Sequence, residues 1–189
     1  ALVTMMWANN ETGVVFPMQR IAELCRARRV PFHCDGTQAV GKIPVNVAEV
    51  GLDAMSFAAH KFHGPKGTGG LFLRRGMRFK AHVIGGPQER GRRGGTENVP
   101  GIVGMGKAAE LAETSLMTIA PGDTEPFLSG GHVIRPPKQP VALPPMQRVA
   151  AMRDRLESQI LGNIPDTHVN GSTDHRLPNT TNIGFARLE

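Results

Sequence analysis

A lysine beside a glycine-rich turn is the residue of this sequence best suited to covalent chemistry. Lys61 belongs to the run HKFHGPKGTGG at 60–70 and follows an apolar segment, 52–58, that is typical of a buried strand. A lysine at the end of a buried strand is poorly solvated, which lowers its pKa and raises the nucleophilic fraction that forms Schiff bases. The glycines allow a ligand to approach the backbone closely. Position alone favours the simpler alternative, a surface lysine on a turn.

Other polar residues also end or follow predicted strands. Asp35 closes the apolar segment 30–34, where a carboxylate can pair with a pyridine nitrogen and keep that nitrogen protonated. It is equally suited to capping a helix that starts at Thr37. Gln38, one turn further on, and Asn10, after the first apolar run, can donate hydrogen bonds to a phenolate oxygen. Each is also common in turns and caps.

The segment 90–96 (RGRRGGT) is the main candidate for binding an anion. Guanidinium groups, exposed backbone N–H groups and the hydroxyl of Thr96 together suit a phosphate. A basic loop that touches nucleic acid is the competing interpretation. The net charge of +6 favours acidic partners or anionic ligands without choosing between them.

Strand and helix signals alternate through the first half of the chain. Strands are predicted at 1–8, 30–34, 52–58 and 70–73, with a helix from Pro17 between the first two. The last strand should run antiparallel because its glycine-rich link is too short for a helical crossover. This pattern predicts an α/β protein with a mostly parallel sheet flanked by helices. Ligands bind beyond the carboxyl ends of such strands, which puts Asn9–Asn10, Asp35 and His60–Lys61 on one rim.

The second half divides into three parts. A helix is predicted at 99–116, with Ile102, Met105, Ala109 and Ala112 on one side. Residues 117–146 hold seven of the fifteen prolines and read as a linker or insertion. A second helix, 147–161, and strands at 168–170 and 181–185 indicate a small α+β domain. The predicted organisation is therefore a large domain over 1–116, a linker over 117–146 and the start of a small domain over 147–189.

Cysteine content and hydropathy favour a cytoplasmic protein. Cys25 and Cys34 have no framework spacing of the kind found in disulfide-rich secreted domains. No apolar run approaches the ~20 residues of a membrane span, and no signal peptide opens the chain. The sequence starts without Met inside an apolar run, so we expect an internal fragment of a longer protein.

Several motifs, taken in order, resemble the cysteine desulfurases of nitrogenase and iron–sulfur cluster assembly. These desulfurases belong to the class V aminotransferase family. They use PLP (pyridoxal 5'-phosphate) and have the fold known as fold-type I. Motifs in order at consistent spacing are far more specific than any one of them, and the resemblance covers nearly everything except 117–146. The matching stretches are ANNETG (8–13), HCDGTQAVGK (33–42), AHKFHGPKG (59–67), GGPQERGRRGGTEN (85–98), PGIVGMGKAAELA (100–112), RDRLE (153–157) and LPNTTNIGF (177–185).

The resemblance implies a role for each candidate residue. Lys61 matches the lysine that binds PLP covalently and then carries a proton at the substrate's α carbon. Asp35 matches the partner of the pyridine nitrogen, and Gln38 matches the residue on the ring's phenolate oxygen. The remaining matches are Asn10 beside the ring and substrate, His60 at the phosphate, and Thr96, which in the family reaches the phosphate of the neighbouring subunit in a homodimer.

The implied reaction takes sulfur from L-cysteine and leaves L-alanine. A protein cysteine becomes a persulfide and passes its sulfur to an acceptor scaffold protein for iron–sulfur cluster assembly or nitrogen fixation. Selenocysteine lyases and other class V PLP enzymes share the motifs around Lys61 and remain alternatives.

The sequence departs from the family pattern in three ways. The nucleophilic cysteine and the carboxylate-binding arginine are expected beyond residue 189, so this chain alone should not turn over cysteine. Cys25 on a helix and Cys34 in a strand are unsuitable substitutes. The family's phosphate-contacting threonine and ring-stacking histidine are expected before residue 1. Ala58 occupies the position of a phosphate-binding serine, and nearby Ser56 has the wrong offset.

Two other classes of function compete with this interpretation. Metal-assisted hydrolysis would use nitrogen and oxygen ligands from His33, Asp35, His60 and His63, but it leaves Lys61 and Gln38 without a role. A basic nucleic-acid-binding module would use Arg90, Arg92 and Arg93. It would lack aromatic stacking groups, because Tyr is absent and Trp occurs once. We therefore expect a PLP enzyme that uses no metal and binds neither nucleic acid nor membrane.

Overall fold

A four-stranded mixed sheet organises the first half of the protein. The computed structural model describes residues 1–117, 127–129, 132–134 and 144–186. Strands β1 (Val3–Met6), β2 (Phe32–Asp35) and β3 (Ala54–Ala58) are parallel, and β4 (Gly69–Leu73) runs antiparallel to β3 in the order β1-β2-β3-β4. This confirms the predicted α/β class and the direction of the fourth strand.

One face of the sheet carries the main hydrophobic core. Helix α1 (Met18–Ala27) buries Met18, Ala22 and Cys25, which recur at helical spacing, against apolar residues of β2 and β3. Leu24 shares the apolar pattern of this helix but lies off the 18–22–25 stripe and is 52% exposed. The short helix α2 (Val47–Val50) is capped by Asn46, whose side chain accepts bonds from the N–H groups of residues 48 and 49.

The opposite face of the sheet is polar and partly exposed. Thr4 Oγ1 lies 2.7 Å from His33 Nδ1, and His33 Nε2 lies 3.1 Å from Ser56 Oγ, so one row of side chains links three strands. Thr4 is exposed, and Leu71 on β4 is 47% exposed. Strand β1 is shorter than the predicted 1–8, and its core-facing residues Val3 and Met5 pack against the core that includes α1.

Helix α3 packs against the turn that follows β3, and its small residues face that turn. After the short hairpin of β5 (Pro87–Gln88) and β6 (Arg93–Gly94), α3 spans Val99–Met117. A Cβ at Gly104 would lie 2.6 Å from Pro65 Cγ, and Ala108 is buried with Ala59 and Phe62. Ile102, Met105 and Ala109 line one cavity and so share a side of α3, as predicted, although Ile102 is 40% exposed and Ala109 is also exposed. The contact follows the small residues because only they allow close approach.

The remaining elements follow the predicted order. Strands β7 (Phe127–Ser129) and β8 (His132–Ile134) pair antiparallel, while most of the predicted linker 117–146 lies outside the described residues. Helix α4 (Pro145–Asn163) begins two residues before the expected position, and β9 (Thr167–Val169) pairs antiparallel with β10 (Ile183–Phe185). The division into domains at 116 and 147 stays a prediction.

The segment before β10 lies against the loop that follows β1. Leu177 N donates to Gly13 O at 2.8 Å, and Val15 N donates to His175 O at 2.9 Å. Gly13 has φ +75°, and a Cβ there would lie 2.7 Å from Thr180 Cβ, so this contact requires glycine. The chain from residue 144 onward therefore supports the loop that carries Asn10.

Candidate active site

The carboxyl ends of the three parallel strands meet at one edge of the sheet. Met6, the last residue of β1, is in register with Asp35, which is in register with Ser56 on β3. The backbone fixes this edge, because Trp7 N donates to Asp35 O and Gly36 N donates to Ser56 O, both at 2.8 Å. The predicted rim therefore exists.

A small cavity at this edge brings together three of the predicted site residues. Asn10, Asp35 and Gln38 line a cavity of about 190 Å³. The other lining residues are Met6, Ala8 and Thr37. Lys61, His60 and Thr96 do not line this cavity, so the structure gathers half of the predicted set at one place.

Asp35 has the capping role that the sequence allowed, but it caps a run of turns and not the predicted helix from Thr37. Its Oδ1 accepts a hydrogen bond from Thr37 N at 2.9 Å, which caps the turns over 36–43. Among the residues that the structure describes, no donor contacts Oδ2. One carboxylate oxygen thus anchors the local backbone while the other remains available to a cation or N–H group in the cavity.

The loop after β1 is held by Asn9, which was predicted on the rim without a role of its own. Asn9 Oδ1 accepts from Glu11 N and Thr12 N, both at 2.9 Å, and from Thr12 Oγ1 at 3.1 Å. These bonds form a compact turn and leave Asn10 exposed at the cavity. An Asn followed by polar residues and Gly13 was the available signal.

His60 and Lys61 lie on a 3-10 turn, Ala59–Phe62, that directly follows β3. Buried Ala59 and Phe62 anchor the turn, whereas His60 and Lys61 are exposed. The expectation that Lys61 is desolvated by the strand is therefore wrong for this chain, because the strand ends at Ala58 and the turn brings the lysine to the surface. The alternative of an exposed lysine on a turn describes its position correctly.

Lys42 is a second cation at this edge, and its residue type and position in the sequence predicted no role for it. Its Nζ donates to Gln38 Oε1 at 2.8 Å. Burial lowers the pKa of Lys42, and the charge of Lys61 lowers it further. The spacing of four residues between Gln38 and Lys42 was the signal in the sequence. Lys42 therefore links the cavity to the vicinity of Lys61.

Thr96 and the basic segment occupy a separate loop around the β5–β6 hairpin. Thr96, Arg90 and Arg92 are exposed, and Arg90 has a left-handed backbone with φ +58°. Gly94 approaches the chain at 84–85 so closely that a Cβ would lie 2.7 Å from Gly85 N. This loop is built on backbone contacts and presents its polar side chains outward.

The geometry does not support the metal-hydrolase alternative. Within the described ranges, no three His, Cys, Asp or Glu side chains are placed to hold a metal ion. His33, the first proposed ligand, is already engaged on both ring nitrogens by Thr4 and Ser56. The proposed ligands His33, Asp35, His60 and His63 therefore do not form a metal-binding cluster within the described residues.

Both cysteines are expected to resist thiol reagents in the native protein. Cys34 is fully buried with its Sγ 3.5 Å from Met18 Sδ, and burial raises its pKa to about 12, with a further contribution from Asp35. Cys25 is 8% exposed. Labelling with an aromatic disulfide reagent should be negligible in buffer and complete in denaturant. Rapid modification of the native chain would contradict this expectation.

Comparison with known proteins identifies the family of the chain. Residues 1–122 match the family described as aminotransferase class V. The chain belongs to this family.

No helix in the part of the chain that the structure describes is long and apolar enough to span a bilayer.

The chain is similar to curated proteins that are named cysteine desulfurase. The chain is 48% identical over 189 residues to a cysteine desulfurase of Trichormus azollae and 49% identical to one of Enterobacter agglomerans. Both alignments include 100% of this chain, and the chain spans 41% and 40% of those relatives.

A solved structure titled NifS-like protein covers 99% of the chain with 32% identity and a TM-score of 0.80; the chain covers 44% of it. A NifS-like protein from Rickettsia africae covers 100% with 28% identity and a TM-score of 0.82, and the chain covers 45% of it. The fold is therefore that of part of a fold-type I PLP enzyme.

Proposed function

We propose that this chain contributes the PLP-binding centre of a cysteine desulfurase. The enzyme would convert L-cysteine to L-alanine and pass the sulfur as a persulfide to an acceptor scaffold protein of iron–sulfur cluster or nitrogenase assembly. The observation that carries the proposal is the cavity shared by Asn10, Asp35 and Gln38, with Lys61 at the end of the next strand. Family membership and the names of the relatives support it.

The residues at the strand edge fit the chemistry of PLP. The cofactor has a pyridine nitrogen, a phenolate oxygen and an aldehyde, and when bound it supplies an electron sink for charge at the substrate's α carbon. Asp35 Oδ2, which has no donor among the described residues, can accept the pyridinium N–H. The Gln38 amide can donate to the phenolate oxygen. The exposed amine of Lys61 can react with the aldehyde.

Each residue then has a defined task. Asp35 keeps the ring nitrogen protonated, and Gln38 and Asn10 orient the ring by hydrogen bonds. Lys61 would hold the cofactor through Nζ and would carry the proton at the substrate's α carbon. His60 binds the phosphate, and Thr96 on its separate loop binds the phosphate held by a second copy of the chain.

The assembly would be a homodimer in the cytoplasm. Exposure of Thr96 away from the cavity of its own chain supports a role at a neighbouring site. Cys25 and Cys34 are both free thiols, which supports a reducing compartment.

Trapping the bound cofactor tests this proposal. The chain is mixed with PLP, reduced with borohydride, digested and mapped by mass spectrometry. When less PLP than protein is added, the expected result is a phosphopyridoxyl group on the peptide that contains Lys61. Labels spread evenly over exposed lysines, or located on Lys66 rather than Lys61, would contradict the proposal.

Replacing Ala58 with serine is expected to tighten PLP binding. Ala58 ends β3 immediately before the Lys61 turn, so a hydroxyl there can bond to the phosphate. One such bond is worth ~1–3 kcal/mol, roughly ten- to a hundredfold in affinity. Ser56→Ala is the matched control, because the Ser56 hydroxyl already pairs with His33. Equal PLP affinities for Ala58→Ser and the wild type in a fluorescence titration would refute this expectation.

A further inference from the structure

The contact between Lys42 and Gln38 determines which way the Gln38 amide faces. Lys42 Nζ lies 2.8 Å from Gln38 Oε1. An ammonium group only donates hydrogen bonds, so it must meet the oxygen of the amide rather than its nitrogen. The amide orientation, which coordinates alone often leave ambiguous, is thereby fixed by chemistry.

This orientation leaves the NH2 group of Gln38 for the cavity. Gln38 lines the cavity together with Asp35 and Asn10. Nε2 has no acceptor among the residues that the structure describes, whereas Oε1 is occupied by Lys42. The side chain is therefore set as a donor, which is the function needed opposite an anionic oxygen. If the amide were reversed, its oxygen would face the anionic oxygen of the ligand and repel it.

The electrostatics of Lys42 also favour an anion nearby. Lys42 is half-buried and forms no ion pair within the described part of the chain. Burial and the charge of Lys61 both lower its pKa. A partly desolvated cation without a carboxylate partner, close to a second cation, gains stability from any anionic group that enters the site.

We propose that Lys42 is a positioning residue for the cofactor. It holds the Gln38 amide with NH2 toward the ring oxygen, and its positive charge favours the anionic form of that oxygen. This inference rests on the proposed function, because it specifies how the same cavity treats PLP.

The proposal predicts two measurable effects of Lys42→Met. PLP affinity should fall roughly tenfold, because the amide is no longer fixed and a favourable charge is lost. The pH midpoint of the absorption change of Lys61-bound PLP should rise by about one unit, because a nearby cation disfavours the protonated form. Lys42→Met leaves Asp35 and Lys61, the other charged residues of the site, in place. Lys42→Arg should keep both properties near wild type, and Lys66→Met, on the exposed turn, should change neither.

A double-mutant cycle shows whether Lys42 acts through Gln38. The affinity losses of Gln38→Ala and Lys42→Met should be strongly non-additive in the double variant. A purely structural role would lower the unfolding midpoint without moving the pH midpoint.

The outcomes separate this inference from the proposed function. A wild-type chain that binds no PLP overturns both. A wild-type chain that binds PLP on Lys61, with an unchanged pH midpoint and affinity in Lys42→Met, overturns the inference and leaves the proposed function standing.

Discussion

The Lys61→Ala chain mixed with PLP is expected to show no absorption band near ~420 nm and no adduct after borohydride reduction. The covalent link needs the amine at the end of β3, and the other residues of the edge contribute only non-covalent contacts. The loss should therefore be complete at PLP concentrations that saturate the wild type. Absorbance titration and intact mass both measure it.

Lys66→Ala is the matched control for this experiment. Lys66 belongs to the same glycine-rich segment and is exposed as Lys61 is, but it lies beyond the 3-10 turn. Its variant should keep the band at wild-type intensity. Retention of the band in Lys61→Ala would reassign the chemistry to another amine, with Lys42 the nearest candidate because its pKa responds to the charge at position 61.

The sequence predicted the edge of the sheet well, because local signals determine it. Short apolar runs that end in Asp35 or before His60 read directly as strands with polar ends. Parallel order then follows from the alternation of strand and helix. Lys61 was harder to place. The strand ends at residue 58 as predicted, and the exposure of Lys61 depends on the turn that follows, in which Ala59 and Phe62 are buried against α3.

Long-range packing decides what periodicity leaves open. The apolar pattern of α3 put Ile102, Met105, Ala109 and Ala112 on one side, but which side packs inward depends on the 59–65 segment, which lies close to Gly104 and Ala108. The hydrogen bond between Lys42 and Gln38 was missed, since a lysine four residues after a glutamine is usually solvated. This hydrogen bond becomes relevant to the site because Lys42 lies near Lys61, which follows a different strand.

A buried ion pair in the second half of the chain was likewise not predicted from the sequence. Arg176 Nη1 lies 2.5 Å from Glu157 Oε2, and Arg176 Nη2 lies 2.9 Å from Glu157 Oε1. The side chains are only 5% and 11% exposed, and Thr181 Oγ1 also donates to the carboxylate. The backbone of Arg176 bridges to Val14, so the pair fastens α4 to the loop that follows Asn10.

Arg176→Met is therefore expected to be strongly destabilising. Among the described residues, it leaves the buried Glu157 carboxylate with Thr181 as its hydrogen-bond donor, and breaking one side of a buried pair costs ~3–5 kcal/mol. The matched control is Lys107→Met, which breaks an exposed pair with Glu110 at 2.9 Å and should cost under ~1 kcal/mol. Urea unfolding measures both. Similar unfolding free energies for the two variants would show that the buried pair contributes no more than a surface pair.

The same pair should make stability depend on pH in a defined direction. The hydrogen bond from Arg176 lowers the pKa of Glu157 to about 2 from 4.5. A carboxyl whose pKa is lower in the folded state stabilises the fold above its unfolded pKa, and this contribution disappears as the pH falls from about 4.5 toward 2. The shift corresponds to roughly 3 kcal/mol.

In Glu157→Gln this part of the acid dependence should vanish, because no carboxylate remains to be protonated. Urea unfolding free energies measured at several pH values through this window should fall more steeply for the wild type than for the variant. Parallel pH profiles would mean that Glu157 is not held as an anion by Arg176. The attachment of α4 to the Asn10 loop would then depend on the backbone contacts of residues 175–177 instead.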